Sequence, residues 1–191
     1  MLRTKHLAVL VVLAAFLAAC APRVAFRPSL QASSPATPPA SSAANFPALP
    51  AVTSAGPTEL ELLSQMNQAR QSGVACPNAA SPPVAPLIYH PVLAEAAQAQ
   101  ATLMAQTGRV THAGADGSTP KARVAARGVP AASVSEIIYM GTSDLPGDAL
   151  RWWLGSGVHC AVLMDARYVN VGAGSARGPG GTAYVVVLSG P

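Results

Sequence analysis

Charge and aromatics are both scarce in this 191-residue chain, at 10% and 5% of residues. The formal charge of +4 does not make up for that scarcity. Arg3, Lys5, Arg23 and Arg27 all precede residue 57, and from Thr58 onward eight Lys/Arg face eight Asp/Glu. A neutral body of this kind carries no nucleic-acid footprint. Internal repeats are missing. So are a His-Glu-x-x-His helix and a Gly-x-Ser-x-Gly elbow, which removes the commonest hydrolase signatures. The glycines at 172–181 are followed by neither a helix nor a lysine, so they are turn chemistry rather than a phosphate loop. Abundant Ala, Gly and Pro resemble the usage of a high-GC bacterial genome.

Long apolar runs are also wanting. The longest, Leu7 to Phe16, is too short to span a bilayer and suits a secretory leader whose basic start is Arg3, Lys5 and His6. Leu17-Ala18-Ala19-Cys20 closes it and resembles a bacterial lipobox. The expectation is a signal peptide over 1–19 and an acylated Cys20 that anchors the mature chain, each buried CH₂ adding about 0.8 kcal/mol. The alternative is an ordinary leader with Cys20 an incidental thiol. Ala21 and Pro22 follow, with no Asp beside Cys20, and by analogy this points to the outer membrane. Residues 20–57 hold eight prolines among Ala and Ser; they cannot build a core and read as a disordered stalk.

Of the three cysteines, Cys20 is assigned to acylation, leaving Cys76 and Cys160. In an exported protein an even pair reads as a disulfide. The alternatives are two buried thiols, or a metal site with His159.

The folded domain is expected over 58–191. Thr58 and Glu61 have capping-box spacing, and Leu60, Leu63, Asn67 and Arg70 recur at helical period until Gly73. His90 and Pro91 suit the cap and first position of a second helix that Gly108 closes. Asp116-Gly117 marks a turn. Thr119-Pro120 opens a short helix carrying Arg123. Ser133 to Met140 reads as a short strand. A last helix starts at Asp144 or Asp148 and ends near Leu154. Two strands, Val169–Ser175 and Ala183–Ser189, flank a hairpin at Gly178-Pro179-Gly180-Gly181. Helices first and a hairpin last give an α+β class, helices on an antiparallel sheet.

The densest cluster of uncommon residues is Trp152 to Leu163, with both tryptophans, His159 and Cys160. With it the pattern resembles the CAP superfamily (cysteine-rich secretory, antigen 5 and pathogenesis-related proteins) in its bacterial SCP-like extracellular branch. The matching pieces are Asn67-x-x-Arg70, Leu87 to Leu93, Thr111-His112 with Asp116-Gly117, Arg123 with Gly128, Glu136, Trp153-x-x-Ser156-x-x-His159, and Val171 to Gly174 with the Tyr184 strand. The resemblance implies an α-β-α sandwich with a cleft lined by His112, His159 and Glu136, able to hold a divalent metal. Ile137 stands where the family usually has Asn. No acid lies at Leu154 or Gly155, where eukaryotic members carry a second glutamate; Asp116 is the substitute candidate.

Two imidazoles and a carboxylate make a Zn²⁺ set, with His112 and His159 as ligands and a water to complete it. Glu136 could instead orient a histidine from the outer shell, or serve as the acid–base group of a hydrolase. Ser156 reads as a cap or turn hydroxyl rather than a nucleophile. The leading expectation is a non-enzymatic envelope lipoprotein that binds a small molecule, lipid or protein partner through this cleft. A metal-dependent hydrolase acting on peptide or envelope polymer is the alternative.

Overall fold

The computed structural model describes residues 55–191 apart from 132. The leader, Cys20 and nearly all of the proposed stalk lie outside them. Among the described residues, five helices and six strands come in the order α1 (Pro57–Ser72), β1 (Val74–Cys76), β2 (Ala79–Ser81), β3 (Ile88–Tyr89), α2 (Pro91–Thr107), α3 (Pro120–Ala125), β4 (Ser133–Gly141), α4 (Pro146–Leu154), α5 (Gly157–Leu163), β5 (Asn170–Gly178) and β6 (Gly181–Gly190).

The main sheet has the order β3-β5-β6-β4. β5, β6 and β4 run antiparallel, and β3 adds two residues parallel to β5. The alternation of side chains along a strand builds two cores. Ile137, Val171, Ala173, Tyr184, Val186 and Leu188 meet α1, α4 and α5 through Leu62, Leu63, Met66, Trp153 and Leu163. Ile138, Ala183, Val185 and Val187 face the other way, onto α2 and α3 through Leu93, Ala97, Ala101, Met104 and Val124. Helices cover both faces, so the α+β sandwich is present.

α2 lies close on β5 because the strand offers glycines. A Cβ on Gly172 would collide with the backbone of Leu93 and Ala94, and one on Gly174 with Ala97 and Gln98. α1 is joined to the loops by polar side chains. Asn67 exchanges two hydrogen bonds with the backbone of Leu87, at 3.1 and 2.7 Å. Arg70 donates to the carbonyls of Ala85, Leu163, Asp165 and Tyr168. The Asn-x-x-Arg spacing is therefore architectural. Burial lowers the Arg70 pKa to about 10, partly offset by Asp165, so the guanidinium stays charged at neutral pH.

Several elements differ from the sequence expectation. Gly56, not Thr58, occupies the α1 cap, and Pro57 takes the first position. α4 is preceded by Leu145 rather than by Asp144 or Asp148. α5 was not anticipated: a seven-residue helix has too few periodic positions to announce itself. Nor were the β1–β2 hairpin and β3, which are three residues or fewer per strand. The β5–β6 hairpin turns through Pro179-Gly180 as expected. Cys76 and Cys160 form a disulfide with Cα atoms 5.7 Å apart.

Candidate functional site

β4 is an edge strand, and the site is assembled beside it. At its centre is Glu136, paired in register with Val187 of β6 and fully buried at the side chain. A carboxylate so placed must be compensated. Its Oε2 accepts from Arg123 Nη2 at 2.7 Å. Its Oε1 lies 2.8 Å from His112 Nδ1. A carboxylate oxygen accepts, so Nδ1 carries the proton and Nε2 is left towards solvent, the ring being half exposed.

The loop carrying His112 is clamped from two elements. Gln100 on α2, itself buried, donates to the carbonyls of Thr111 and Ala113 on either side of the histidine. Arg123 on α3 donates from Nη1 to the carbonyls of His112 and Ser118. α3 presents that arginine because Thr119 caps it, its side chain accepting from Ala122 N, with Pro120 in the first turn.

His159 comes from the opposite layer. It sits on α5, with Nδ1 2.7 Å from Ser156 Oγ. Ser156 holds the cap position of α5 but makes no side-chain bond to its backbone; its hydroxyl goes to His159 instead. The Trp152 ring lies 4.8 Å from that of His159 and 5.9 Å from that of Tyr139. Partial burial lowers the pKa of His159, and the charge of His112 lowers it further. The two imidazoles come from different layers, His112 from the loop ahead of α3 and His159 from α5. The β4 edge itself is covered by Trp153, whose indole N–H donates to Ile138 O at 3.0 Å.

Asp116 does not join this group. It is exposed, and its Oδ1 accepts from Ser118 N at 2.9 Å in a local turn. Hydrogen bonds from the side chain and amide of Ser118 hold its carboxyl below the usual range. His90 takes the α2 cap position through its backbone, without a side-chain bond. Gln100, Arg123 and Trp152 were not among the expected site residues. Arg123 followed by an acidic strand position was the available signal; nothing in the sequence tied Gln100 to the loop ahead of it.

The donor set fits zinc in one way only. Each carboxylate oxygen of Glu136 already accepts a hydrogen bond, Oε2 from Arg123 and Oε1 from His112, and the side chain is fully buried. It fits the outer-shell role, fixing the His112 tautomer. Among the described residues no group of three or more His, Cys, Asp and Glu side chains is arranged to hold a metal. What is left is two imidazoles, each with Nδ1 engaged.

A sandwich of this kind has known counterparts. The model of the CAP family, described as the cysteine-rich secretory protein family, matches residues 63–189. The chain belongs to that family. Solved structures agree on the fold. An outer surface protein from Borrelia burgdorferi aligns with TM-score 0.57 and 19% identity over 69% of this chain and 90% of its own. An extracellular protein containing an SCP domain from Bacillus anthracis aligns with TM-score 0.58 and 17% identity, over 70% of this chain but 40% of that protein. A venom allergen-like protein from Schistosoma mansoni aligns with TM-score 0.52 and 14% identity, over 71% and 90%. No curated protein matches by sequence. At these identities the CAP likeness establishes architecture, and chemistry must be argued from the residues.

Proposed function

We propose that this CAP domain is a binding module of the cell envelope, exported and tethered by acylated Cys20, that takes its ligand between His112 and His159. The observation that carries the reading is the double commitment of Glu136. With one oxygen on Arg123 and the other on His112, at 2.7 and 2.8 Å, the carboxylate serves as a fixed strut. A hydrolytic base needs a free oxygen turned to water. With Nδ1 engaged on each ring, Nε2 is the nitrogen left for a hydrogen-bonded ligand or a divalent cation. Zinc would be held by those two nitrogens, with Glu136 behind His112, and would supply a Lewis-acidic centre for an anionic or carbonyl group. Among the described residues no helix is long and apolar enough to cross a membrane; the anchoring proposed here is that of the lipobox.

Zinc titration of the full chain, followed by calorimetry, tests the cleft. Binding should weaken at least tenfold in His112→Ala and again in His159→Ala; equal binding in all three chains sinks the reading. Turnover of a peptide or envelope polymer that chelation and Glu136→Gln both abolish would establish the hydrolase instead. Cys20→Ala should move the protein from the membrane to the soluble fraction.

A further inference from the structure

We infer that the β1–β2 hairpin is a positioning device for one wall of this cleft, holding Ser156 and His159 in place through Cys76 and Asn78. The inference rests on the cleft reading above. α5 has seven residues, and helices that short do not persist on their own. Its C-terminal end is held from α1, where Arg70 donates to Leu163 O at 2.6 Å. Its N-terminal half, which carries Ser156, Gly157 and His159, has no such arginine.

That half is held from the hairpin. Cys160, next to His159 and fully buried, is bonded to Cys76 at the end of β1. Cys76, Cys160 and Met164 form a small core of their own, closed by Val74, Val84 and Leu154. The turn between β1 and β2 places Asn78 against the start of α5, where its amide fills the space that a Cβ on Gly157 would need. Gly157 is thus a seat for Asn78, one residue from Ser156 and two from His159.

The hairpin is three residues a strand, and ribbons that small are marginal alone. Each part is weak alone; the disulfide and the Asn78 seat join them. The other wall is built differently. His112 is set by Gln100, Arg123 and Glu136, none of which touches the hairpin by any of these bonds. The cleft therefore has one wall fixed by buried charge and one fixed by a covalent brace.

The test needs no ligand. The full chain carrying Cys76→Ala and Cys160→Ala is compared with wild type by hydrogen exchange and by nuclear Overhauser contacts between the Trp152 and His159 rings. Amides of residues 160–164, the ones bonded within α5, should exchange at least about tenfold faster, and the ring contacts should weaken, while residues 111–127 keep wild-type protection. Equal loosening of both walls would make the disulfide a general stabiliser and overturn the inference. So would an unchanged α5. Should the double variant fail to fold, Asn78→Gly, which keeps the disulfide, decides by the same two readouts: faster exchange confined to the bonded amides 160–164 of α5 supports the brace, and wild-type exchange there overturns it. Zinc titration of the wild type tests the cleft reading separately, since neither readout here depends on metal.

Discussion

Arg123 Nη2 and Glu136 Oε2 lie 2.7 Å apart with the carboxylate fully buried, and the pair joins α3 to the edge strand of the sheet. Removing one partner strands the other charge away from water, a change that typically costs about 3–5 kcal/mol. Arg123→Met removes the partner and also the bonds to the His112 and Ser118 carbonyls. Urea unfolding should show a loss of unfolding free energy in that range, seen as a lower midpoint. Glu136→Gln keeps the shape and loses the charge, so it should cost less than Arg123→Met while freeing His112. The ordering of the two midpoints checks the assignment.

Gly172 and Gly174 offer a second measurable consequence. A methyl group at either meets the backbone of α2, which no side-chain rotation relieves. Gly172→Ala and Gly174→Ala should each sit at or above the upper end of the usual overpacking cost of about 1–3 kcal/mol. Gly117→Ala is the contrast: nothing lies within 4 Å of its Cβ, and only its φ of 79° resists the change, at a cost of about 1–2 kcal/mol. Thermal unfolding should rank the first two well below the third.

What the sequence made legible follows from what each feature depends on. α2 was readable because Pro91, the alanine face and Gly108 are local signals that agree. The β5–β6 hairpin was readable from its Gly/Pro turn. α5 was not, because its stability comes from Cys76, Asn78 and Arg70, which are distant in sequence. His112, Glu136 and His159 were named through motif order; the fold pairs the first two beside β4 and sets the third on α5. Their roles were not legible. That Glu136 is spent on Arg123 and His112 depends on α3 packing across β4. That Ser156 serves His159 rather than its own helix depends on a rotamer. Asp116 illustrates the reverse case: an acid near a histidine in sequence that a turn directs outward.

The lowered pKa of His159 gives a pH dependence with a definite sign. Its folded value lies below the ordinary 6.5, so the unfolded chain binds the proton more readily. The contribution to stability is fully present above pH 6.5 and is lost as the pH falls from there through the folded value. His159 should titrate below 6.5 by ring-proton NMR. His112→Ala removes the smaller of the two causes and should raise that midpoint without restoring it fully, since desolvation remains. An unchanged midpoint would mean that the two imidazoles do not sense each other.

Trp152 and Trp153 are adjacent, yet the fold gives them opposite fates. Trp153 is fully buried, packs among α1 and the sheet, and caps Ile138 O. Truncating it to alanine opens a cavity and strands a carbonyl, and should cost about 3–5 kcal/mol. Trp152 is half exposed, and its ring leans on His159 and Tyr139. Trp152→Ala should cost about 1 kcal/mol, in line with an aromatic pair at the surface. Its larger effect should be on the cleft: one face of the His159 ring becomes open to water, so the midpoint of His159 should move up towards 6.5. The fluorescence of Trp152→Phe should come from Trp153 alone and resist aqueous quenchers, whereas Trp153→Phe should leave an emission that iodide quenches readily. Equal quenching in the two variants would contradict the burial on which the wall of the cleft is built.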